Sequence, residues 1–107
     1  EVFFNLLHNA IQAMPTGGKI SIDAHYLHNN HAIQVTIADT GPGIPQESSQ
    51  KIFEPFYTTK QTGTGLGLSI VKKKLEDMDA TIHVESNGNG ASFIINFPLS
   101  EPVLMTT

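Results

Sequence analysis

The spacing of apolar residues along this chain switches twice from a helical to a strand period, and this order limits the folds available to it. Residues 1–14 predict an amphipathic helix with a polar side that includes Asn5 and Asn9. Its apolar stripe consists of Phe3, Leu7, Ala10 and Met14, with Leu6 and Ile11 beside it. Residues 19–39 then alternate apolar and polar side chains on both sides of a turn sequence, which predicts a β-hairpin.

A second helix and a second hairpin follow in the same order. Residues 66–79 have a helical period, and strands are predicted over 80–86 and 91–98 on either side of Asn87-Gly88-Asn89-Gly90. When the hairpins form a sheet and the helices pack on one face of it, the result is an α+β fold. We therefore expect a two-layer α/β sandwich, with a mixed sheet and the helices on one face.

Length and composition narrow the function classes. The 107 residues suffice for one domain, which we assign to 1–99 with a C-terminal tail over 100–107. A net charge of −4 gives no electrostatic basis for binding nucleic acid or an anionic membrane. The chain has no cysteine and no apolar run near the ~20 residues of a membrane span, so we expect a cytoplasmic domain. Because Glu1 already lies in the first helical pattern, we also expect an N-terminally truncated piece of a longer protein, whose membrane anchorage is left open.

Two glycine-rich stretches carry the strongest functional signal. The first, residues 39–45, follows an alternating run, and the second, residues 63–69, opens onto the second helix. Glycine lets a backbone approach a ligand closely, and free N–H groups at a helix N-terminus attract an anion. The first stretch adds a carboxylate and the second adds amide donors, which predicts a base site and a phosphate site for a purine nucleotide.

Asp39 is the candidate for the base site. Residues two apart on a strand share a face, so Asp39 is expected on the apolar side with Val35 and Ile37. A carboxylate there needs donors, and the exocyclic amine of adenine is a suitable one. The alternative is that Asp39 only starts an Asx-turn into Thr40 and Gly41.

Asn5 and Asn9 are four residues apart and therefore lie one above the other on one helix face. Asparagine forms helices poorly, so a pair of them suggests side-chain oxygens held for use, and amide oxygen suits Mg²⁺. The alternative is an ordinary solvated polar face.

The segment between the two glycine stretches has no clear period, and a structureless stretch of this length is usually functional. A stretch of this kind often forms a lid. Phe53 and Phe56 would anchor this lid, or form a satellite core or a docking patch. Lys60 is the cation best placed to reach a phosphate, whereas Lys72, Lys73 and Lys74 are expected to form a solvated helix face. The second glycine stretch lacks the Gly-Lys-Ser/Thr of a P-loop.

These four motifs, in this order, resemble the catalytic ATP-binding domain of bacterial sensor histidine kinases, most closely the nitrogen-regulator type. That domain shares a superfamily with gyrase, MutL and the large heat-shock chaperone. The resemblance covers residues 1 to about 98 and rests on an asparagine box, a first glycine box, a phenylalanine box and a second glycine box. These boxes are residues 5–10, 39–45, 52–60 and 63–71.

The resemblance implies a role for each matching position. Asp39 would accept a hydrogen bond from the adenine amine, with Gly41, Gly43 and Ile44 closing around the base. Asn9 would hold Mg²⁺ with help from Asn5, and Gln12 would lie near the phosphates. Residues 46–62 would form the ATP lid. The phosphate chain of ATP would be held by Lys60 and the amides of Gly65, Leu66, Gly67 and Leu68. Further ATP-binding residues would be Thr59, Gly63 and Thr64.

The resemblance also bears on the reaction. ATP-hydrolysing relatives carry a glutamate four residues before the metal asparagine, and this chain has Asn5 there, which favours phosphoryl transfer to a histidine. No histidine of the chain is followed by an acidic residue, so the acceptor histidine is expected on a separate dimerisation domain, with a response regulator as indirect partner. No catalytic residue is assigned within the chain itself. A serine kinase or ATPase of the same superfamily, and a non-catalytic nucleotide-binding regulatory module, remain as alternatives.

Overall fold

The computed structural model describes residues 2–45, 47, 49, 51–54 and 67–99. The predicted tail over 100–107 lies outside the described residues, as does the predicted lid over 46–62 apart from residues 47, 49 and 51–54. In chain order the elements are α1 (Val2–Ala13), β1 (Ile20–Leu27), β2 (Ala32–Asp39), a short 3₁₀ helix (Lys51–Phe53), α2 (Gly67–Asp77), β3 (Thr81–Asn87) and β4 (Gly90–Pro98). The predicted helices and hairpins are confirmed, with ends that differ by one or two residues. The 3₁₀ helix was not predicted, because three residues are too few to show a period.

The four strands form one sheet in the order β1-β2-β4-β3. All three pairings between the described strands are antiparallel, so the expectation of a mixed sheet is wrong for this part of the chain. The reason lies in the path after α2. This helix brings β3 back parallel to β2 but leaves a gap, and β4 fills the gap antiparallel to both. The α+β class is confirmed.

Both helices pack on the same face of the sheet and enclose one apolar core. Its members are Leu6, Ile37, Ile52, Val71, Leu75, Ala80, Phe93 and Ile95. The buried line of α1 runs through Leu6 and Ala10, whereas Phe3 of the predicted stripe is 43% exposed. The stripe is therefore rotated from the prediction, because α1 faces α2 as well as the sheet. This rotation places Asn5 and Asn9 beside the buried line, where both are half-buried.

Candidate functional site

Asp39 lies at the end of β2, on the face of the sheet that carries the helices. Ile37, two residues earlier, is buried on this face, and Asp39 itself is half-buried. The backbone N–H of Gly41 donates to Asp39 Oδ1 at 2.9 Å, and the N–H of Ala91 approaches the same oxygen at 3.4 Å. The Asx-turn is therefore present, and the predicted direction of the side chain is also correct. Since both described hydrogen bonds go to Oδ1, the second carboxylate oxygen is left to accept from a ligand.

Gly90 allows β4 to begin directly against the end of β2. Its φ is +142°, a conformation that residues with a side chain rarely adopt. A Cβ at this position would overlap the carbonyl oxygen of Asp39 and would also come within 3.3 Å of Thr40 Cα. The glycine thus fixes the backbone that carries the carboxylate.

The loop after Asp39 is held at its far end by the second hairpin. The N–H of Ile44 donates to Ser86 Oγ at 2.5 Å, and Ser86 Oγ donates to the carbonyl oxygen of Gly90 at 3.0 Å. Gly43 has a φ of +84°, which turns the loop back towards β3. The half-buried side chain of Ile44 packs against the core, so the first glycine stretch is pinned at both ends.

The C-terminal end of α1 packs against the same loop. A Cβ added to Gly41 would lie 3.2 Å from Met14 Cγ and 3.4 Å from the carbonyl oxygen of Ala13. Thr40 lies 3.6 Å from Met14 Sδ through its hydroxyl, which also accepts from the N–H of Lys19 at 2.9 Å. Little free space therefore separates the helix end from the start of the loop.

This packing connects the asparagines of α1 with the Asp39 loop. Asn5, Asn9 and Ala13 are spaced four apart and form one row on the helix. The Ala13 end of this row lies against Gly41. Asn9 is therefore one turn of α1 further from the Asp39 loop, and Asn5 is two turns further. Gln12 is exposed beside the end of this row.

The start of α2 carries the described part of the second glycine stretch. Gly67 is exposed at the first position of the helix, and Leu68 is half-buried against the core. The N–H groups of this first turn have no acceptor within the helix itself. Six other predicted site residues lie outside the described residues: Thr59, Lys60, Gly63, Thr64, Gly65 and Leu66.

Phe53, at the base of the predicted lid, belongs to the main core. Its ring packs edge-on against Phe93 with the centroids 6.3 Å apart, and the neighbouring Ile52 is buried. Lys72 Nζ lies 5.8 Å from the centroid of the Phe53 ring on the other side. Phe53 therefore packs against the main core instead of forming a satellite core, while its interpretation as a docking patch stays a prediction. Lys72, Lys73 and Lys74 are all exposed, as predicted for a solvated helix face. Phe56 lies outside the described residues.

Around Asp39 the described residues offer a carboxylate acceptor and backbone donors. They contain no group of three histidine or acidic side chains arranged to hold a metal ion. At the β1–β2 turn, Tyr26 Oη lies 3.2 Å from His31 Nδ1. This turn is at the opposite end of β2 from Asp39. The Asp39 carboxylate can therefore accept from a donor group of a ligand, and the exposed start of α2 can attract an anion.

Sequence reasoning missed Ser86, Gly90 and Met14 as parts of the site. Their roles depend on the strand register, in which Asp39 pairs with Ala91 and Ala91 pairs with Ser86. Periodicity predicts the strands but not the order in which they pair. The turn sequence at residues 87–90 predicts only a hairpin.

The profile of one protein family, described as histidine kinase-, DNA gyrase B- and HSP90-like ATPase, matches residues 1–101. Sporulation kinase A of Bacillus subtilis is 42% identical over 99 residues, which are 92% of this chain and 16% of that protein. The chain thus spans about a sixth of the length of this curated relative. None of the helices in the described residues is long and apolar enough to cross a lipid bilayer.

Solved structures of histidine kinases also match this chain. The nucleotide-free catalytic domain of histidine kinase ThkA matches with a TM-score of 0.80 and 44% identity, over 91% of this chain and 63% of that one. ThkA in complex with the response regulator protein TrrA matches with a TM-score of 0.75 and 40% identity, over 91% and 27%. Full-length ShkA in complex with AMPPNP matches with a TM-score of 0.80 and 30% identity, over 91% and 20%.

Proposed function

Because this chain belongs to the family of histidine kinase-, DNA gyrase B- and HSP90-like ATPase domains, we propose that it is the ATP-binding catalytic domain of a sensor histidine kinase. The observation that carries the proposal is the half-buried Asp39 carboxylate at the end of β2, enclosed by the loop to Ile44. The similarity to ThkA and ShkA over nine tenths of the chain supports the kinase assignment.

On the base side, Asp39 recognises adenine by accepting a hydrogen bond from the exocyclic amine. Guanine has a carbonyl oxygen at the corresponding position, which a carboxylate repels. Gly41 and Ala91 hold Oδ1 in place, so the carboxylate is oriented before the nucleotide binds. Gly43 and Ile44 cover the base.

On the phosphate side, Asn9 supplies an amide oxygen for Mg²⁺ and Asn5 assists from the preceding turn. Mg²⁺ needs few protein ligands, since it keeps several waters and binds substrate phosphates. The half-buried asparagines fit such a site, and bound Mg²⁺ would offset phosphate charge. The N–H groups of Gly67 and Leu68, with Thr59, Lys60, Gly63, Thr64, Gly65 and Leu66, complete the phosphate site in this proposal.

The chain presents the γ-phosphoryl group to a histidine on a separate dimerisation domain of the same kinase, and a response regulator receives it afterwards. Transfer requires the leaving oxygen of ATP and the attacking histidine nitrogen to lie in line on either side of the γ-phosphorus. The residues of the phosphate site therefore contribute by positioning ATP and by stabilising charge. Asn5 cannot act as a general base towards water, which disfavours hydrolysis at this site. The structure of ThkA with TrrA supports the assignment of a response regulator as partner.

Calorimetric titration with ATP, ADP and GTP in the presence of Mg²⁺ tests the nucleotide assignment. We expect binding of ATP and ADP and much weaker binding of GTP. Asp39→Ala should weaken ATP binding roughly ten- to a hundredfold, because a hydrogen bond to a charged acceptor is lost. Unchanged ATP affinity in a folded Asp39→Ala variant would contradict the adenine site.

Incubation with γ-labelled ATP tests the reaction class. Without an acceptor, we expect no label on the chain and no release of labelled phosphate. With the histidine-bearing helical domain of the parent protein added, label should appear on that domain as an acid-labile phosphoramidate. Steady phosphate release by the chain alone would instead identify an ATPase.

A further inference from the structure

The hydroxyl of Ser86 connects two segments that are far apart in the sequence. It accepts a hydrogen bond from the N–H of Ile44 at 2.5 Å and donates one to the carbonyl oxygen of Gly90 at 3.0 Å. One hydroxyl can do both, because it has one proton to donate and two lone pairs to accept. The end of the first glycine stretch is thereby tied to the first residue of β4.

The strand register shows what this connection spans. Ser86 pairs with Ala91 across β3 and β4, and Ala91 pairs with Asp39 across β4 and β2. The three residues form one row on one face of the sheet, so Ser86 and Asp39 are two strand spacings, roughly 10 Å, apart. The small, buried Ala91 lies between them.

The loop from Gly41 to Ile44 therefore leaves the sheet at Asp39 and returns to it at Ser86. One anchor is the Gly41 N–H on Asp39 Oδ1, and the other is the Ile44 N–H on Ser86 Oγ. Without the second anchor, the packing of Ile44 against the core would remain as the described contact at the far end of the loop. The width of the space beside the carboxylate depends on both anchors.

We propose that Ser86 is a positioning residue for the adenine nucleotide: its hydroxyl holds the Gly41–Ile44 loop at the distance from Asp39 that fits the base. The inference rests on the proposed function, which assigns adenine to Asp39. Ser86 does not touch the ligand in this proposal. It acts through Ile44 and through Gly90, whose backbone lies against Asp39.

Ser86→Ala removes both hydrogen bonds while leaving the strand intact, and Ser86→Thr retains a hydroxyl in a residue suited to strands. Ser21→Ala is the matched control, since Ser21 is an exposed strand serine on β1. We expect Ser86→Ala to weaken the binding of ATP and of ADP by a similar factor, about three- to tenfold, because both nucleotides contain adenine. The preference for ATP over GTP should fall by a similar factor, and Ser86→Thr should restore much of the affinity.

Amide hydrogen exchange by NMR adds a readout that general destabilisation would not produce. In Ser86→Ala the Ile44 amide should exchange at least several-fold faster, while the amide of Ile95 in the core keeps its protection. If the alanine variant does not fold, Ser86→Cys provides the same comparison, because a thiol is a weak donor and acceptor. Failure of both variants to fold would assign Ser86 to stability and overturn the proposal.

The possible failures are distinguishable. If the wild-type chain binds no adenine nucleotide, the proposed function is wrong and this inference falls with it. If wild type binds and Asp39→Ala does not, yet Ser86→Ala keeps full affinity and ATP preference, the inference alone is overturned. Equal exchange at Ile44 in wild type and Ser86→Ala would also overturn it.

Discussion

The two glycine-rich stretches of this chain differ in what surrounds their glycines. In the first, a Cβ on Gly41 would lie within 3.1 to 3.4 Å of Asp39 Oδ1, Met14 Cγ and the Ala13 carbonyl oxygen. In the second, a Cβ on Gly67 would meet no atom of the described residues within 4 Å. The protein's own packing accounts for glycine at the first position, whereas nothing in the described residues accounts for it at Gly67.

This difference suggests two kinds of binding surface. The base side is built from strand ends, a helix end and a hairpin, and its shape is present without a ligand. Among the described residues the start of α2 offers an open backbone, and under the proposed function a phosphate lying against it accounts for the glycine. A preformed base site and an open phosphate site agree with a nucleotide that is recognised by its base and held by its phosphates.

The largest effect is expected at Gly90, which the hairpin shares with the base side. Gly90→Ala should lower the free energy of unfolding by about 2–4 kcal/mol, because the positive φ and the contact with the Asp39 carbonyl both exclude a Cβ. Gly88→Ala in the same turn is the control, since a Cβ there would meet no atom within 4 Å. Urea unfolding measures the stability of both variants. Equal stabilities would show that β4 can lie further from the end of β2 without a loss of stability.

Replacing Asn9 tests the proposed phosphate side through the effect of Mg²⁺ on ATP affinity. Asn9→Ala should reduce ATP affinity in Mg²⁺ on the order of tenfold, while affinity without metal stays near that of wild type. The residue is half-buried at a helix position that accepts alanine, so the fold should persist. Calorimetry with and without Mg²⁺ measures the difference, and an undiminished Mg²⁺ effect would remove Asn9 from the metal site.

Gly41→Ala tests the tight side directly. The added Cβ would press on the Asp39 carboxylate and on the end of α1, so we expect a loss of about 1 kcal/mol in stability. ATP affinity should fall as well, since Asp39 Oδ1 is one of the crowded atoms. A variant with wild-type stability and affinity would mean that Met14 yields easily and that the loop is less confined than the distances indicate.

Gly67→Ala should have the smallest effect on stability and the opposite sign. Alanine is the better helix former and loses less entropy on folding, so we expect a gain of about 0.5 kcal/mol. ATP affinity should fall a few-fold while adenosine affinity stays unchanged, because only the phosphates would approach this backbone. If ATP binds equally well to this variant, Gly67 does not contact the phosphate chain.

The sequence was sufficient to predict the helices and the strands, because their periods persist over many residues. It also predicted the face on which Asp39 lies, since parity along a strand needs no knowledge of the neighbours. It could not predict that Ala91 and Ser86 stand in one row with Asp39, because strand order depends on the path of the whole chain. The close contact that explains Gly90 depends on the same long-range pairing.

The exposed position of Phe3 has a similar cause. Helical spacing identifies an apolar face but not its rotation against two partners at once. In the structure Leu6 is fully buried between α2 and the sheet, whereas Phe3 only packs its ring near Phe97. Asn5 and Asn9 therefore lie closer to the buried line than the sequence indicated.

In the proposed function, the Asp39 carboxylate accepts a hydrogen bond from adenine in addition to shaping the loop. Asp39→Asn separates the two roles, because its amide oxygen can still accept from the Gly41 N–H while its NH₂ group cannot accept from adenine. Calorimetric titration of this variant with ATP, alongside its melting temperature, is the most direct test. We predict near wild-type melting with ATP affinity reduced roughly ten- to a hundredfold. Wild-type ATP affinity in Asp39→Asn would contradict the claim and leave Asp39 as a turn residue only.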